Sequence, residues 1–533
     1  MSALLLATFI VPLATAALLL LVPRRMGHVA RILAIAASVV TLAAALLLFL
    51  LFDRSQVSDY QFVSTRWDWV ESLGLTFQVG VDGINIVLIL LAAIVGFAAT
   101  LVAREIGSRE KEFYVLLLLM NGGIIGAFAS LDIFWMYFLH ELALIPTFLM
   151  IGIWGTGEKR QYATFKITIY LSVGALIALI GLLALYFGGP ARSFNLLDLQ
   201  REGYPVGFQT RVFPLFLFGF GILVSLWPFH TWAPIGYATM PTPTAMIHAG
   251  VLKKFGLYVL LRVALPLLPV GAKDWANVLL ILCLFNILYC ALVAMQQKDL
   301  NYLIGYSSVS HMGYAFLGIA SLNLIGLSGT VLLMFAHGIA AALMFALSGY
   351  IYERTKTREM ADLGGLARTL PFIATCFVMA AMANVGLPGF ANFVSEIMIY
   401  FGSWNAFQWV TALAVWGVVL SAVYMLRAVR TVFFGPLPAK WAQLGDARTL
   451  ALRFPIALLL VVLLLVGCWP RVLVDVIRPG AKQIAAIFEN QTGVTSTGVV
   501  APVPGRLGLV HATHQPPGTA ATTPAETTAG ATK

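Results

Sequence analysis

A helix needs about 20 consecutive apolar residues to cross the hydrocarbon core of a bilayer, and this chain supplies such runs near residues 2, 28, 82, 112, 131, 164, 211, 242, 274, 301, 324, 370, 405 and 451. No other feature constrains the fold as strongly. Backbone N–H and C=O groups find no water in lipid, so each run must close its hydrogen bonds internally as a helix. The expected fold class is an all-α polytopic membrane protein of about 14 transmembrane helices. Composition agrees: 60% of the 533 residues are hydrophobic and 11% are charged, against about 25% charged in soluble domains. The weakest boundary lies between the fourth and fifth runs, where Ser130, Leu131 and Asp132 must supply a turn inside one long apolar stretch.

The formal net charge of +10 suggests a polyanionic partner only until the positions of the cations are read. They fall in short segments between apolar runs and nowhere interleave with aromatic residues, so no nucleic acid is expected. Odd-numbered loops carry about 19 Lys and Arg, among them Arg24, Arg31, Arg109, Lys159, Arg354 and Arg430, against about six in the even loops. That asymmetry predicts odd loops in the cytoplasm of a bacterial inner membrane and both termini on the outer, periplasmic side. The first run, Ser2 to Val22, has no preceding positive residue and no small-residue cleavage site, so it reads as a retained helix. Beyond about Asn490 the chain turns rich in Thr, Ala, Gly and Pro, which predicts a disordered tail over 490–533. Cys283, Cys290, Cys376 and Cys468 sit inside apolar runs without metal-ligand spacing and read as inert helix residues.

Two runs carry helix breakers at mid-span: Pro228 and Pro234 in the seventh, and Gly386, Pro388 and Gly389 in the twelfth, followed by Asn392 and Ser395. A proline alone can merely kink a helix. Broken backbone at membrane depth, however, must be buried in protein or line a wet cavity. The breaks lie five spans apart, an odd offset, so the corresponding helices cross in opposite directions, as in inverted repeats. The expected organisation is helices 1–3 over residues 1–111, a five-helix repeat over 112–272, an inverted five-helix repeat over 273–432, a last helix over 433–489, and the tail.

An ionised side chain at the bilayer centre costs about 2.5–3.5 kcal/mol on insertion scales, so each one is a functional candidate. Glu141 lies in the fifth run within FLHELALIP; Lys253 and Lys254 lie in the eighth within HAGVLKKFGLY, with His248 nearly two turns earlier. His230 follows the first breaker of the seventh, His311 falls in the tenth, His337 in the eleventh, and Glu396 toward the outer end of the twelfth. An acid, a lysine pair, histidines and a terminal acid suit proton transfer, because a movable pairing of opposite charges can load and unload a proton. Each of these residues could instead make a satisfied structural hydrogen bond or ion pair. Gly219 and Gly221 form G-x-G without the further glycine of a dinucleotide site, and no P-loop, nucleophile elbow or haem motif occurs. No redox chemistry and no cofactor is expected in the chain itself.

At HELALIP, AGVLKKFGLY, IGYSSVSHMGYAFLGI, AHGIAAALMF and GLPGFANFVSE the sequence resembles the subunit M family of proton-pumping NADH:quinone oxidoreductase, respiratory complex I. The resemblance runs from about residue 80 to residue 435 and implies fourteen spans with inverted five-helix repeats, in an antiporter-like fold shared with multi-subunit cation/proton antiporters. It implies that Glu141 corresponds to the fifth-helix glutamate, Lys254 to the eighth-helix lysine, His311 and His337 to the central histidines, His230 to the segment after the seventh-helix break, and Glu396 to the exit acid. Related L and N subunits, the implied membrane-arm partners, carry lysine at the Glu396 position. NADH, flavin, iron–sulfur clusters and quinone are implied for sister subunits only.

Two departures stand out. The family places a lysine in the seventh helix, opposite the fifth-helix glutamate, yet GFGILVSLWPFH has only apolar residues and Ser225 around Leu223. Lys253 is the expected substitute, reaching Glu141 from the neighbouring helix. Asn301 stands where a lysine is usual. Alternative readings are a subunit of a cation/proton antiporter or membrane-bound hydrogenase, and a structural subunit that no longer moves protons.

Overall fold

The structure, a computed structural model, describes residues 2–54, 60–190 and 192–489; the expected disordered tail lies outside these residues. Among the described residues, 11 helices are long and apolar enough to cross a membrane, from Ser2–Leu21 to Leu450–Cys468. The remaining three apolar runs also fall on helices, of different character. The run near 242 is divided by π-helical turns at His248–Leu252 and Leu260–Ala264. Leu300–Ala320 is 21 residues long and carries the polar SSVSH stretch. The run near 370 forms Pro371–Val385 and Ala391–Ala406, of 15 and 16 residues.

The all-helical expectation needs one correction. Trp67–Val70 and Leu75–Phe77 pair as an antiparallel hairpin, closed at Gly74, whose φ of 62° suits a residue without Cβ. This segment lies between two apolar runs and belongs to neither, so the confinement of lipid-embedded backbone to helices does not apply to it. The Trp69 ring sits 5.0 Å from Trp135 and so ties the hairpin to the start of the Ile133–Trp154 helix.

That helix begins where the sequence boundary was weakest. Asp132 caps it, its Oδ1 accepting from Phe134 N at 2.9 Å and Trp135 N at 3.3 Å, while Oδ2 accepts from Thr76 N and Oγ1 of the hairpin. Burial pushes the Asp132 carboxyl up to about 6. One short polar side chain thus ends the apolar stretch, starts the Glu141 helix and anchors the strands.

The centre of the molecule is formed by Asn85–Val102 and Leu324–Thr355, whose apolar stretches are almost wholly buried. Ser2–Leu21, Arg160–Gly188 and Gln408–Phe433 lie outside them and expose Leu21, Phe165, Trp409 and other large apolar side chains, as lipid-facing helices do. Four free cysteines remain, three of them buried. At one end of the central layer Arg262 Nη2 meets Asp82 Oδ2 at 2.7 Å, and its guanidinium covers the Tyr60 ring at 4.5 Å. Arg262→Met, which strands a buried carboxylate, is expected to destabilise the protein by about 3–5 kcal/mol, and Asp82→Asn with Arg262→Met by less; thermal unfolding in detergent measures both.

Candidate functional site

The Val206–Val224 helix stops at Ser225, which adopts φ 73°, and the chain resumes as a helix at Trp232–Thr239. The gap is held by Asn286 of a neighbouring helix. Its Oδ1 accepts from Trp227 N at 2.6 Å, and its Nδ2 donates to Ser225 O at 3.0 Å and Val309 O at 3.1 Å. All three contacts go to backbone, so one amide joins the first turn of the gap to the His311 helix. A second gap follows Val385: Gly386 takes φ 79° and the next helix starts at Ala391. A Cβ on Gly386 would stand 2.7 Å from Glu396 Oε2, so the left-handed backbone favours glycine here and a Cβ would push the carboxylate aside.

Lys254 lies just after the π turn His248–Leu252; such turns recur at functional sites. Its ammonium donates to Ala249 O and meets His337 Nδ1 at 3.0 Å. Gly250 and Gly338 make this contact possible. Their backbones face each other so closely that a Cβ at Gly338 would lie 2.6 Å from Gly250 O. The His337 ring stands 5.4 Å from the His311 ring, centroid to centroid. His311 Nδ1 faces Ser307 O at 2.8 Å and Nε2 faces Asn384 O at 2.9 Å. Two carbonyls around one ring are both satisfied only by an imidazolium, which donates from both nitrogens. The first gap orients this helix through Val309 O, and the second supplies the Asn384 carbonyl at its edge. His311 Nε2 also lies 3.7 Å from Glu396 Oε1. A row of titratable groups therefore runs Lys254, His337, His311, Glu396, every member buried.

The other sequence candidates fall elsewhere. Lys253 does not take the place expected of it. Its ammonium donates to Ser308 Oγ at 3.0 Å and sits 5.6 Å over the Tyr237 ring, and no ion pair joins it to Glu141 among the described residues. Successive helical residues point about 100° apart, so Lys254 turns to His337 while Lys253 turns to the neighbouring Leu300–Ala320 helix. His248 Nδ1 approaches Tyr237 Oη at 3.4 Å. His230 is buried beside Tyr289 and Tyr306 with Nδ1 unpaired, apart from the row. Glu141 is a quarter exposed and meets His140 Nδ1 at 3.4 Å.

Asn286, Ser307 and Ser308 carry weight that the sequence reading missed, and Asn392 enters that reading only as a polar residue after the second set of breakers. Asn392 is fully buried one turn before Glu396, with neither side-chain amide atom hydrogen-bonded. Such atoms are positions for ordered water.

The family model described as NADH:quinone oxidoreductase/Mrp antiporter, TM, matches residues 130–421, which contain the whole row. This chain belongs to that family. It is similar to NADH-quinone oxidoreductase subunit M of Rhodobacter capsulatus, at 36% identity over 90% of this chain and 96% of the relative. NAD(P)H-quinone oxidoreductase chain 4 2 of Synechococcus sp. is also 36% identical, over 83% of each chain. Among solved structures, a chain of respiratory complex I from Thermus thermophilus superposes with a TM-score of 0.83 at 31% identity, over 91% of this chain and 99% of the other. A chain of the Mrp complex from Dietzia shares the fold, with a TM-score of 0.80 at 22% identity over 91% and 97%.

Within this family member, Gly386→Ala tests the second gap. The left-handed backbone alone costs a Cβ-bearing residue about 1–2 kcal/mol, and the new methyl displaces the Glu396 carboxylate. Lowered thermal stability together with impaired activity of the assembled complex is the expected result.

Proposed function

We propose that this chain is a membrane-arm subunit of a complex I type NADH:quinone oxidoreductase, moving protons across the membrane while sister subunits pass electrons from NADH to quinone. The observation that carries the reading is the buried row from Lys254 through His337 and His311 to Glu396. Subunit M of Rhodobacter capsulatus and the Thermus complex I chain support it. The protein is thus part of an enzyme, a translocase whose redox chemistry, with flavin and iron–sulfur clusters, resides in other chains. Moving one charge against 100 mV costs about 2.3 kcal/mol, so the energy comes from those neighbours. In this reading Glu141 senses or relays the neighbouring charge, Lys254 holds the central proton, His337 and His311 pass it on, and Glu396 delivers it outward.

The same reading assigns fourteen crossings, counting the three interrupted or polar runs as spans, with helices seven and twelve broken and two inverted five-helix repeats over 112–272 and 273–432. It places both termini on the outer side of a bacterial inner membrane, with L-like and N-like subunits as neighbours.

A non-pumping scaffold is the second reading. It is favoured by Leu223, buried and apolar where the resemblance implies a lysine. Glu141→Gln and Lys254→Met discriminate. Both are expected to lower the proton-to-electron ratio of the complex in liposomes while leaving assembly intact; a scaffold would leave the ratio unchanged.

A further inference from the structure

Glu141 and Glu396 are each met by one imidazole. At the far end His311 Nε2 lies 3.7 Å from Glu396 Oε1; at the near end His140 Nδ1 lies 3.4 Å from Glu141 Oε1. In both places the carboxylate oxygen is buried without a hydrogen bond, and at the near end the same holds for the imidazole nitrogen. Two orphaned atoms facing each other, one a proton donor when protonated and the other an acceptor when neutral, form an unfilled proton bridge.

The two side chains divide between surface and interior. Glu141 is 26% exposed, whereas His140 is only 2% exposed. The His140 ring lies flat on Phe255 at 4.1 Å between centroids, with 11° between planes, and Phe255 directly follows Lys254. The outer group therefore faces away from the subunit, and the inner one faces the helix that carries the central lysine. His248 and Lys254 are the nearby titratable groups on that side, while Lys253 is engaged by Ser308. Leu223 offers no charge.

We propose that His140 is the proton-carrying residue that links Glu141 to the interior of the chain, in the role left open by the apolar seventh helix. A protonated Glu141 gives its proton to Nδ1 of the neutral ring, and Nε2 passes the proton it held inward to His248, whose Nε2 is buried without a hydrogen-bond partner. Return of the ring to its first tautomer completes the cycle with no net change in bound protons. The separation of 3.4 Å slightly exceeds a hydrogen bond of about 2.7–3.2 Å, and rotation of the partly exposed glutamate closes it.

This inference rests on the translocation reading, so the experiment includes a control for that reading. The proton-to-electron ratio is measured for the assembled complex in liposomes with His140→Phe, His140→Gln and Lys254→Met. Phenylalanine keeps the flat contact with Phe255 but exchanges no proton; glutamine keeps a hydrogen-bonding group beside Glu141 but does not titrate. Both His140 variants are expected to lower the ratio by as much as Lys254→Met. A packing role would leave His140→Phe silent, and an unchanged ratio in either assembled His140 variant beside a lowered one in Lys254→Met overturns the proposal. Should Lys254→Met itself leave the ratio unchanged, the translocation reading falls and takes this inference with it.

Discussion

A lysine amine far from water needs hydrogen-bond partners within the protein, and Lys254 finds them in Ala249 O and His337 Nδ1. Much of the central architecture is arranged around this contact. The π turn places Lys254, the glycine pair lets two helices meet backbone to backbone, and the most deeply buried helix presents His337. Beyond it His311 and Glu396 continue the row, and Glu396 Oε1 is buried without a hydrogen bond, an atom that a shared proton or a water would satisfy. The arrangement trades tight hydrogen bonding for exchangeability: a fully satisfied network would hold its protons in place.

The two helix gaps serve the row from opposite sides. Asn286 holds the first with two backbone hydrogen bonds and ties it with a third to Val309 O of the His311 helix, so the gap is a fixed joint and not a loose loop. The second opens at Gly386 and leaves the Asn384 carbonyl just before it to His311. Irregular backbone in a membrane protein survives where other groups pair with it, and here the first gap is paired by Asn286 and the second by His311.

Much of this could be read from the residues. Long apolar runs fixed the helices because lipid allows little else, and the expense of burying charge singled out Lys254, His311, His337 and Glu396. Pairing was less legible. Lys253 and Lys254 look equivalent in sequence, and only the local helix phase sends one to Ser308 and the other to His337. Asn286 gives no signal, since a single amide in an apolar helix is common and its three partners come from distant segments. The π turns have no composition of their own. The hairpin at Trp67–Phe77 was hidden because its short strands lie in a connecting segment, where apolar periodicity has little to report. His140 was read only as the neighbour of a more conspicuous acid.

Gly250 and Gly338 leave no side-chain layer between their two helices. In most helix crossings the spacing is an average over rotamers that flex. Here it is set by main chain against main chain, the stiffest surface a helix offers. The crossing works as a hard stop, so the reach from ammonium to imidazole is calibrated by the backbone, and motion that changes it must come from the long side chain of Lys254 or from displacement of a whole helix.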